Sequence, residues 1–177
     1  MNYAIEEAIV DAFVSYLGPK VSSASCVAAP SAESREYPLV VCRVAALNTL
    51  VPGVSWHDVV KAVIEIGILS ETADEIDTAG KVITRARTIH ANLRSEVLNA
   101  LTIKDSAALP DGLAAMAQAK DLPKGLAAHL TAQRIPGVWI QSAQPGTPLA
   151  TMSVDEEHRC LVTLISVSVI AQAIEIT

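Results

Sequence analysis

The sequence has few aromatic residues and few cysteines, and it carries none of the short motifs that mark common active sites. Phe, Trp and Tyr together make up only 3% of its 177 residues, so small and branched aliphatic side chains must fill the core. The three cysteines, Cys26, Cys42 and Cys160, are widely separated and odd in number. That spacing argues against a disulfide framework and predicts buried, reduced thiols.

Long hydrophobic runs are also missing. The most apolar stretch, CLVTLISVSVIAQAI at residues 160–174, is shorter than the ~20 residues of a transmembrane helix and is interrupted by one threonine and two serines. Its Val and Ile residues favour a strand instead. Near the N-terminus, Glu6 and Glu7 stand where a secretory signal carries positive charge, so the sequence predicts no export signal and no membrane partner.

Charged residues are scarce, and acidic residues outnumber basic ones. Charged residues make up 18% of the chain against 51% hydrophobic residues, a balance that predicts burial beyond the core of one copy. The formal net charge of −6 argues against a surface that grips phosphates along its whole length. It is compatible with a protein that lets DNA pass without holding it.

No residue pattern indicates catalysis, and the sequence predicts no catalytic residue, cofactor or metal. It lacks a Gly-x-Ser-x-Gly elbow, a phosphate loop, a dinucleotide fingerprint and a Cys-x-x-Cys pair. Residues 155–160 gather metal-ligand types, but neighbours on a strand point to opposite faces, so we interpret them as a solvated loop entering a strand. The histidines, which stand alone in the sequence, are His57, His90, His129 and His158. His90 borders an apolar stripe and is predicted to be a satisfied core histidine rather than a general base.

Hydrophobic spacing predicts a helix at the N-terminus and strands after it. Apolar residues recur at helical intervals over residues 2–17. A short strand is expected at residues 21–28 and a longer one at residues 39–47. Residues 57–69 alternate between a dry side and a mixed side with a period of two, which predicts a strand of unusual length.

The segment ETADEIDTAGKVITRARTIHANLRSEVLNAL, residues 71–101, is predicted to form one long amphipathic helix. Thr72 and Glu75 match a capping box, and apolar residues from Ile76 to Leu101 form one stripe. Roughly 28 residues at ~1.5 Å each give a helix of about 42 Å. That length is close to the length expected for the preceding strand, so the helix can lie along it.

The C-terminal part is predicted to contain two short helices, inserted at residues 113–134, and two further strands. The predicted ranges are 113–120 and 124–134 for the helices and 138–143 and 158–172 for the strands. Strands outnumber crossovers, so the predicted fold class is α+β. It is a mixed, mainly antiparallel sheet with long strands, packed on one face by the N-terminal helix and the long amphipathic helix. We expect residues 1–177 to form a single domain.

The order of these elements resembles that of bacteriophage tail terminator proteins and related neck proteins. The similarity lies in the N-terminal helix, the loop ending in EYP with the strand LVVCRV after it, the capped segment at residues 71–101, the stretch RIPGVWIQS and the closing strand HRCLVTLISVSV. It covers nearly the whole chain as a pattern of elements rather than as a motif of individual residues.

Membership of this family implies a structural virion protein assembled in the cytoplasm of the bacterial host. Such a protein forms a homo-oligomeric ring, commonly a hexamer, that caps the tail tube, ends its polymerisation and joins the tail to the head or neck. The implied partners are further copies of the chain, the tail tube protein and neck or connector proteins. DNA passes through the centre without specific binding.

Six charged residues are our candidates for a subunit or partner interface. Arg43 lies inside an apolar strand, where it either emerges on an exposed face or pairs with an acid across a subunit contact. The other candidates are Glu65 on the mixed side of the long strand, Arg85 and Arg87 on the basic flank of the long helix, and Asp155 and Glu156 before the last strand.

Three alternative functions stay open at this point. A head-tail connector or head-closure protein is the nearest. A small cytoplasmic enzyme or ligand-binding domain would need a pocket between the sheet and the long helix, lined by convergent polar residues, and beyond His90 the apolar faces offer almost none. An adaptor would use the basic flank of the long helix.

Overall fold

Long strands rich in β-branched residues form the framework of the protein. The computed structural model describes residues 2–29, 36–49, 59–103, 125–146, 153–155 and 160–173. In chain order the elements are α1 (Asn2–Leu17), β1 (Ser25–Ala28), β2 (Leu39–Thr49), β3 (Val59–Glu71), β4 (Glu75–Ile76), β5 (Val82–Thr84), α2 (Ala86–Leu101), α3 (Gly125–Thr131), β6 (Val138–Pro145), β7 (Ser153–Asp155) and β8 (Cys160–Ala173).

The main sheet is mixed and mostly antiparallel. Its strand order is β1-β2-β3-β8-β6, with the short β7 paired to the beginning of β8. Only the β1–β2 pair is parallel among the described strands, and β4 and β5 form a separate hairpin. This arrangement confirms the predicted α+β class.

The centre of the sheet is the β3–β8 pair, whose register runs without interruption from Val59 opposite Gln172 to Glu71 opposite Cys160. One face of β3 is completely dry, because every second side chain from residue 60 to residue 68 is 0% exposed. Those residues are Val60, Ala62, Ile64, Ile66 and Ile68. The period of two predicted for this segment is therefore confirmed.

The helices cover that dry face. Buried residues of α1, α2 and α3 belong to the same hydrophobic cluster as the dry face of the sheet. The Tyr16 hydroxyl of α1 donates a buried hydrogen bond of 2.6 Å to the carbonyl oxygen of Ala100, which ties α1 to α2. Burial raises the pKa of Tyr16 to about 12, so the hydroxyl keeps its proton. None of the described helices is long and apolar enough to cross a lipid bilayer.

The prediction of one long helix over residues 71–101 is wrong in its first half. The helix α2 begins only at Ala86, and the residues before it fold into the β4–β5 hairpin. Asp77 and Gly80 (φ +80°) build the hairpin turn, and the three β-branched residues of β5 favour a strand. These local preferences outweigh an apolar spacing that suits a helix.

The capping box predicted at Thr72 is likewise replaced by a contact across the hairpin. Arg85, at the N-cap position of α2, has extended backbone (φ −81°, ψ 138°) and makes no capping hydrogen bond with its side chain. The Asp74 carboxylate instead accepts a hydrogen bond of 2.9 Å from the Ala86 amide. An acid 12 residues upstream thus satisfies one of the free amides at the helix start and fixes the hairpin to the helix.

The remaining predictions are confirmed in part. The helix α3 falls inside the predicted range 124–134, and β6 and β8 lie where strands were predicted. The predicted helix at residues 113–120 lies outside the described residues. The assignment of the chain to one domain, with an insertion at residues 113–134, stays a prediction.

Candidate functional site

The face of the sheet opposite the helices is the strongest candidate for a functional surface. We call it the open face and define it by Val41, Val63, Leu69, Val162 and Leu164. These side chains alternate with the dry face along β2, β3 and β8, are half-buried, and lie outside the core cluster. An antiparallel sheet with one solvated face normally carries polar residues there. The open face is mixed, since Lys61, Glu65 and Ser168 lie on it as well, and its aliphatic residues make it more apolar than a fully solvated face.

A concavity of about 380 Å³ lies on the open face, and we call it the cleft. Its apolar lining includes Val41, Leu69, Val162 and Leu164. Gly67 forms part of its floor, where a Cβ atom would lie 3.6 Å from side-chain atoms of Leu69 and Leu164. That distance is an ordinary van der Waals contact, so a larger residue could be accommodated at position 67. The glycine leaves this part of the cleft open.

Arg43 and Glu65 supply the charged part of the cleft. They are directly opposite each other in the β2–β3 register. Arg43 Nε donates a hydrogen bond of 2.6 Å to Glu65 Oε2, and Arg43 Nη2 contacts the same oxygen. The Arg43 side chain is 59% exposed, so the pair adds little to stability, on the order of 0–1 kcal/mol. Of the two predictions for Arg43, the exposed position is confirmed, and its described acidic partner belongs to the same chain.

Acidic residues of α1 surround the exposed side of Arg43. A second concavity, of about 400 Å³, is lined by Glu6, Glu7 and Asp11 together with Arg43 and Val44. The two concavities share Arg43, so the α1 carboxylates lie next to the cleft without being part of its lining.

The β4–β5 hairpin is the second unusual surface, and we call residues 72–85 the arm. Its aliphatic side chains lie in solvent: Ile76 is 62% exposed, Val82 44% and Ile83 66%. Ile76 is opposite Val82, and Ile83 is the extra residue of a β-bulge. The apolar spacing predicted Ile76 on the stripe of a helix, and its exposure on the arm is not what that pattern predicts. The Asp77–Gly80 turn followed by three β-branched residues was the signal that favoured a hairpin.

The turn of the arm is held by hydrogen bonds. Asp77 Oδ1 accepts hydrogen bonds from the amides of Ala79 (2.9 Å) and Lys81 (2.8 Å). The Asp77 amide in turn donates to the Lys81 carbonyl oxygen at 2.9 Å. Together with the contact from Asp74 to α2, these bonds restrict the conformation of the arm.

The other predicted interface residues lie away from the cleft or outside the described residues. Arg85 and Arg87 are exposed at the start of α2, where they line a concavity of about 300 Å³ together with Val154 and Leu161. Asp155 ends β7 opposite Cys160. Glu156 lies outside the described residues. The structure therefore brings Arg43 to Glu65 and Arg85 near Arg87, in two separate places.

His90 is the central residue of a buried polar cluster between α2 and the sheet. Its Nδ1 atom is 2.8 Å from Ser70 Oγ, and its Nε2 atom is 2.8 Å from Thr163 Oγ1. All three residues are at most 2% exposed. Burial, with a smaller contribution from the Arg94 charge, lowers the pKa of His90, which favours the neutral ring. The prediction of a satisfied core histidine is confirmed.

The cysteines form no bond with one another. Burial raises the pKa of Cys26 to about 11 and that of Cys42 to about 12, so both thiols keep their protons at neutral pH. Within the described ranges no three His, Cys, Asp or Glu side chains come together as metal ligands. In comparisons with known proteins, no family model matches the chain, and no curated protein matches it either.

Proposed function

We propose that the chain is a structural bacteriophage protein that forms a ring on the tail tube, ends tube polymerisation and joins the tail to the head or neck. The observation that carries this proposal is the exposed aliphatic surface of the arm, together with an open face whose aliphatic residues are only partly buried. The resemblance in element order to tail terminator proteins gives that surface its biological context. DNA would pass through the ring, and the tail tube and neck proteins would be its neighbours.

The size of the apolar surface decides how the copies must associate. Burying an aliphatic side chain completely contributes about 1.5–3 kcal/mol, so the three half-exposed residues of the arm offer roughly 3 kcal/mol in total. Association costs an estimated 4–15 kcal/mol in lost freedom of motion. The arm alone is therefore too small a contact, and the open face must also be covered in a stable assembly.

The net charge suits a channel for DNA. Each copy carries a formal net charge of −6, so six copies carry a net charge of −36. A ring whose inner wall shared this excess would repel phosphates and let DNA slide through without being held.

A ligand-binding protein is the second candidate, because the cleft has the volume of a small-molecule site, ~300–1,000 Å³. The sequence predicts such a pocket between the sheet and the long helix. Buried side chains of α2, among them Leu93 and Val97, pack into the core with the dry face at that place, and the cleft lies on the opposite face. A head-tail connector remains the nearest variant of the main proposal.

Two measurements test the proposal. Light scattering coupled to size exclusion is expected to show a closed oligomer, alone or after addition of tail tube. Electron microscopy is expected to show shorter, capped tubes when the chain is present during polymerisation of the tube protein. A chain that stays monomeric at every concentration and leaves tube length unchanged would refute the proposal. Saturable binding of a small molecule in the cleft by that monomer would favour the second candidate.

A further inference from the structure

The arm and the cleft are two apolar surfaces on one chain that do not cover each other. Ile76 and Ile83 of the arm stay 62% and 66% exposed, and the cleft stays accessible on the open face. The two surfaces differ in shape, since the arm projects and the cleft is concave. A projecting surface on one copy and a concave one on another can fit together without either changing its fold.

We propose that the arm of one copy docks in the cleft on the open face of the next copy. The inference rests on the proposed ring and adds to it the pair of surfaces that holds neighbouring copies together. Each cleft is then incomplete in an isolated chain, because its second wall comes from the arm of a neighbour.

The lining of the cleft favours the arm over the alternatives on the same chain. The cleft is lined mainly by Val and Leu side chains. The concavity beside α1 combines apolar residues such as Val44 with the three carboxylates of Glu6, Glu7 and Asp11, which would have to be desolvated against an aliphatic arm. The concavity beside α2 is lined in part by the arm of the same chain, through Thr72, Asp74 and Arg85, so it is a poorer place for the arm of another copy.

Charges next to the two apolar surfaces are complementary. Glu75 and Lys81 are exposed on the arm beside Ile76 and Val82. Arg43 lines the cleft and can meet the acid, and the α1 carboxylates of the adjoining concavity can meet the lysine. Such rim charges set the register of a contact and the rate of encounter, whereas the apolar residues supply most of the affinity.

The contact joins two different surfaces, so it is a head-to-tail contact. Repeating it produces a ring if the rotation between copies closes, as the proposed function requires. An arm-to-arm or face-to-face contact would instead pair like surfaces and stop at a two-fold dimer. The geometry of the contact can therefore be separated experimentally from the existence of an oligomer.

Cross-linking of mixed copies tests the contact directly. One chain carries Ile83→Cys, and a second, larger tagged chain carries Val162→Cys, both in a Cys26→Ala background because Cys42 and Cys160 are buried. A short bis-maleimide is expected to join the two chains only when they are mixed. Cross-linking of either chain to itself at the same yield, or no cross-linking in the mixture, would overturn the proposal.

Charge substitution gives a second and independent test. Ile83→Glu is expected to raise at least tenfold the protein concentration below which the oligomer dissociates into monomers. Its circular dichroism spectrum should be unchanged because the side chain is exposed. Ala91→Glu is the control, since Ala91 is exposed on α2 and is part of neither the arm nor the cleft, and it should leave the oligomer intact. Gly67→Leu, which fills the cleft, should act like Ile83→Glu.

The outcomes separate this inference from the proposed function. A ring that persists unchanged in Ile83→Glu and Gly67→Leu would refute the arm-to-cleft contact and leave the ring standing. A wild-type chain that is monomeric and does not cap tubes would refute both. Equal loss of the oligomer in Ala91→Glu would show that the arm has no special part in it.

Discussion

Replacement of His90 with leucine tests whether the polar cluster under α2 acts as one structural unit. Leucine fills much of the space of the imidazole but has no hydrogen-bonding group, so the hydroxyls of Ser70 and Thr163 lose the ring nitrogens that lie 2.8 Å from each. A buried hydroxyl left unsatisfied costs about 1–3 kcal/mol. Two such groups predict a loss of about 2–6 kcal/mol, a large share of the 5–15 kcal/mol typical of a folded domain.

Urea unfolding followed by circular dichroism measures this loss as a lower midpoint at an unchanged slope. The matched control is the triple variant Ser70→Ala, His90→Leu and Thr163→Val, in which no hydroxyl is left without a partner. It is expected to regain at least half of the lost stability, because removing all members of a buried network is far less costly than removing one. A single variant within ~1 kcal/mol of wild type, or a triple variant less stable than the single one, would refute the reasoning.

Three further predictions concern pH, the core and the arm. Burial lowers the pKa of His90 and of His129, so the unfolded chain takes up protons at higher pH than the folded chain, and stability should fall as the pH drops from about 6.5 through the folded pKa values. Urea unfolding midpoints between pH 7 and pH 5 measure this fall, and the midpoint of His90→Leu should depend less steeply on pH. Ile66→Asp or Val167→Asp places an unpaired charge at a 0% exposed position and should lower the free energy of unfolding by more than ~4 kcal/mol, enough to prevent folding. A soluble variant that unfolds cooperatively would contradict the placement of β3 and β8. Asp77→Ala removes the acceptor of two turn hydrogen bonds and should speed hydrogen exchange of those amides about fivefold, for a loss of about 1 kcal/mol, without changing the global unfolding midpoint.

The elements that the sequence predicted well are those in which local pattern and tertiary environment agree. In α1, residues such as Ile9 and Phe13 recur at helical spacing and all face the sheet. In β3, the alternation from Val60 to Ile68 coincides with a face that is completely buried. When one side of an element is dry and the other is not, its period can be recognised without knowing what covers it.

The partnership of Arg43 with Glu65 was not predictable from the sequence. Both residues were candidates for an interface, but 22 positions separate them, and only the β2–β3 register places them opposite each other. A shift of that register by one residue would turn Arg43 toward the core. The alternation along β3 indicates which of its side chains face the core, but it does not fix which residue of β2 lies opposite which residue of β3.

The arm shows why a correct hydrophobic pattern led to a wrong element. The apolar residues of the arm continue the spacing of the stripe in α2, so they fit a helix as well as a hairpin. The deciding interactions are short-range ones: the Asp77 carboxylate accepts two turn amides, and Asp74 occupies the start of α2, which leaves the helix no upstream extension. An apolar stripe predicts that its residues will be covered, but it does not predict what covers them. In the proposed arm-to-cleft contact, a neighbouring copy covers the arm, and the sheet of the same chain does not. If that contact exists, protection of Ile76 and Ile83 from solvent will rise with protein concentration while protection of Ile66 stays constant, which a helix packed inside one chain could never produce.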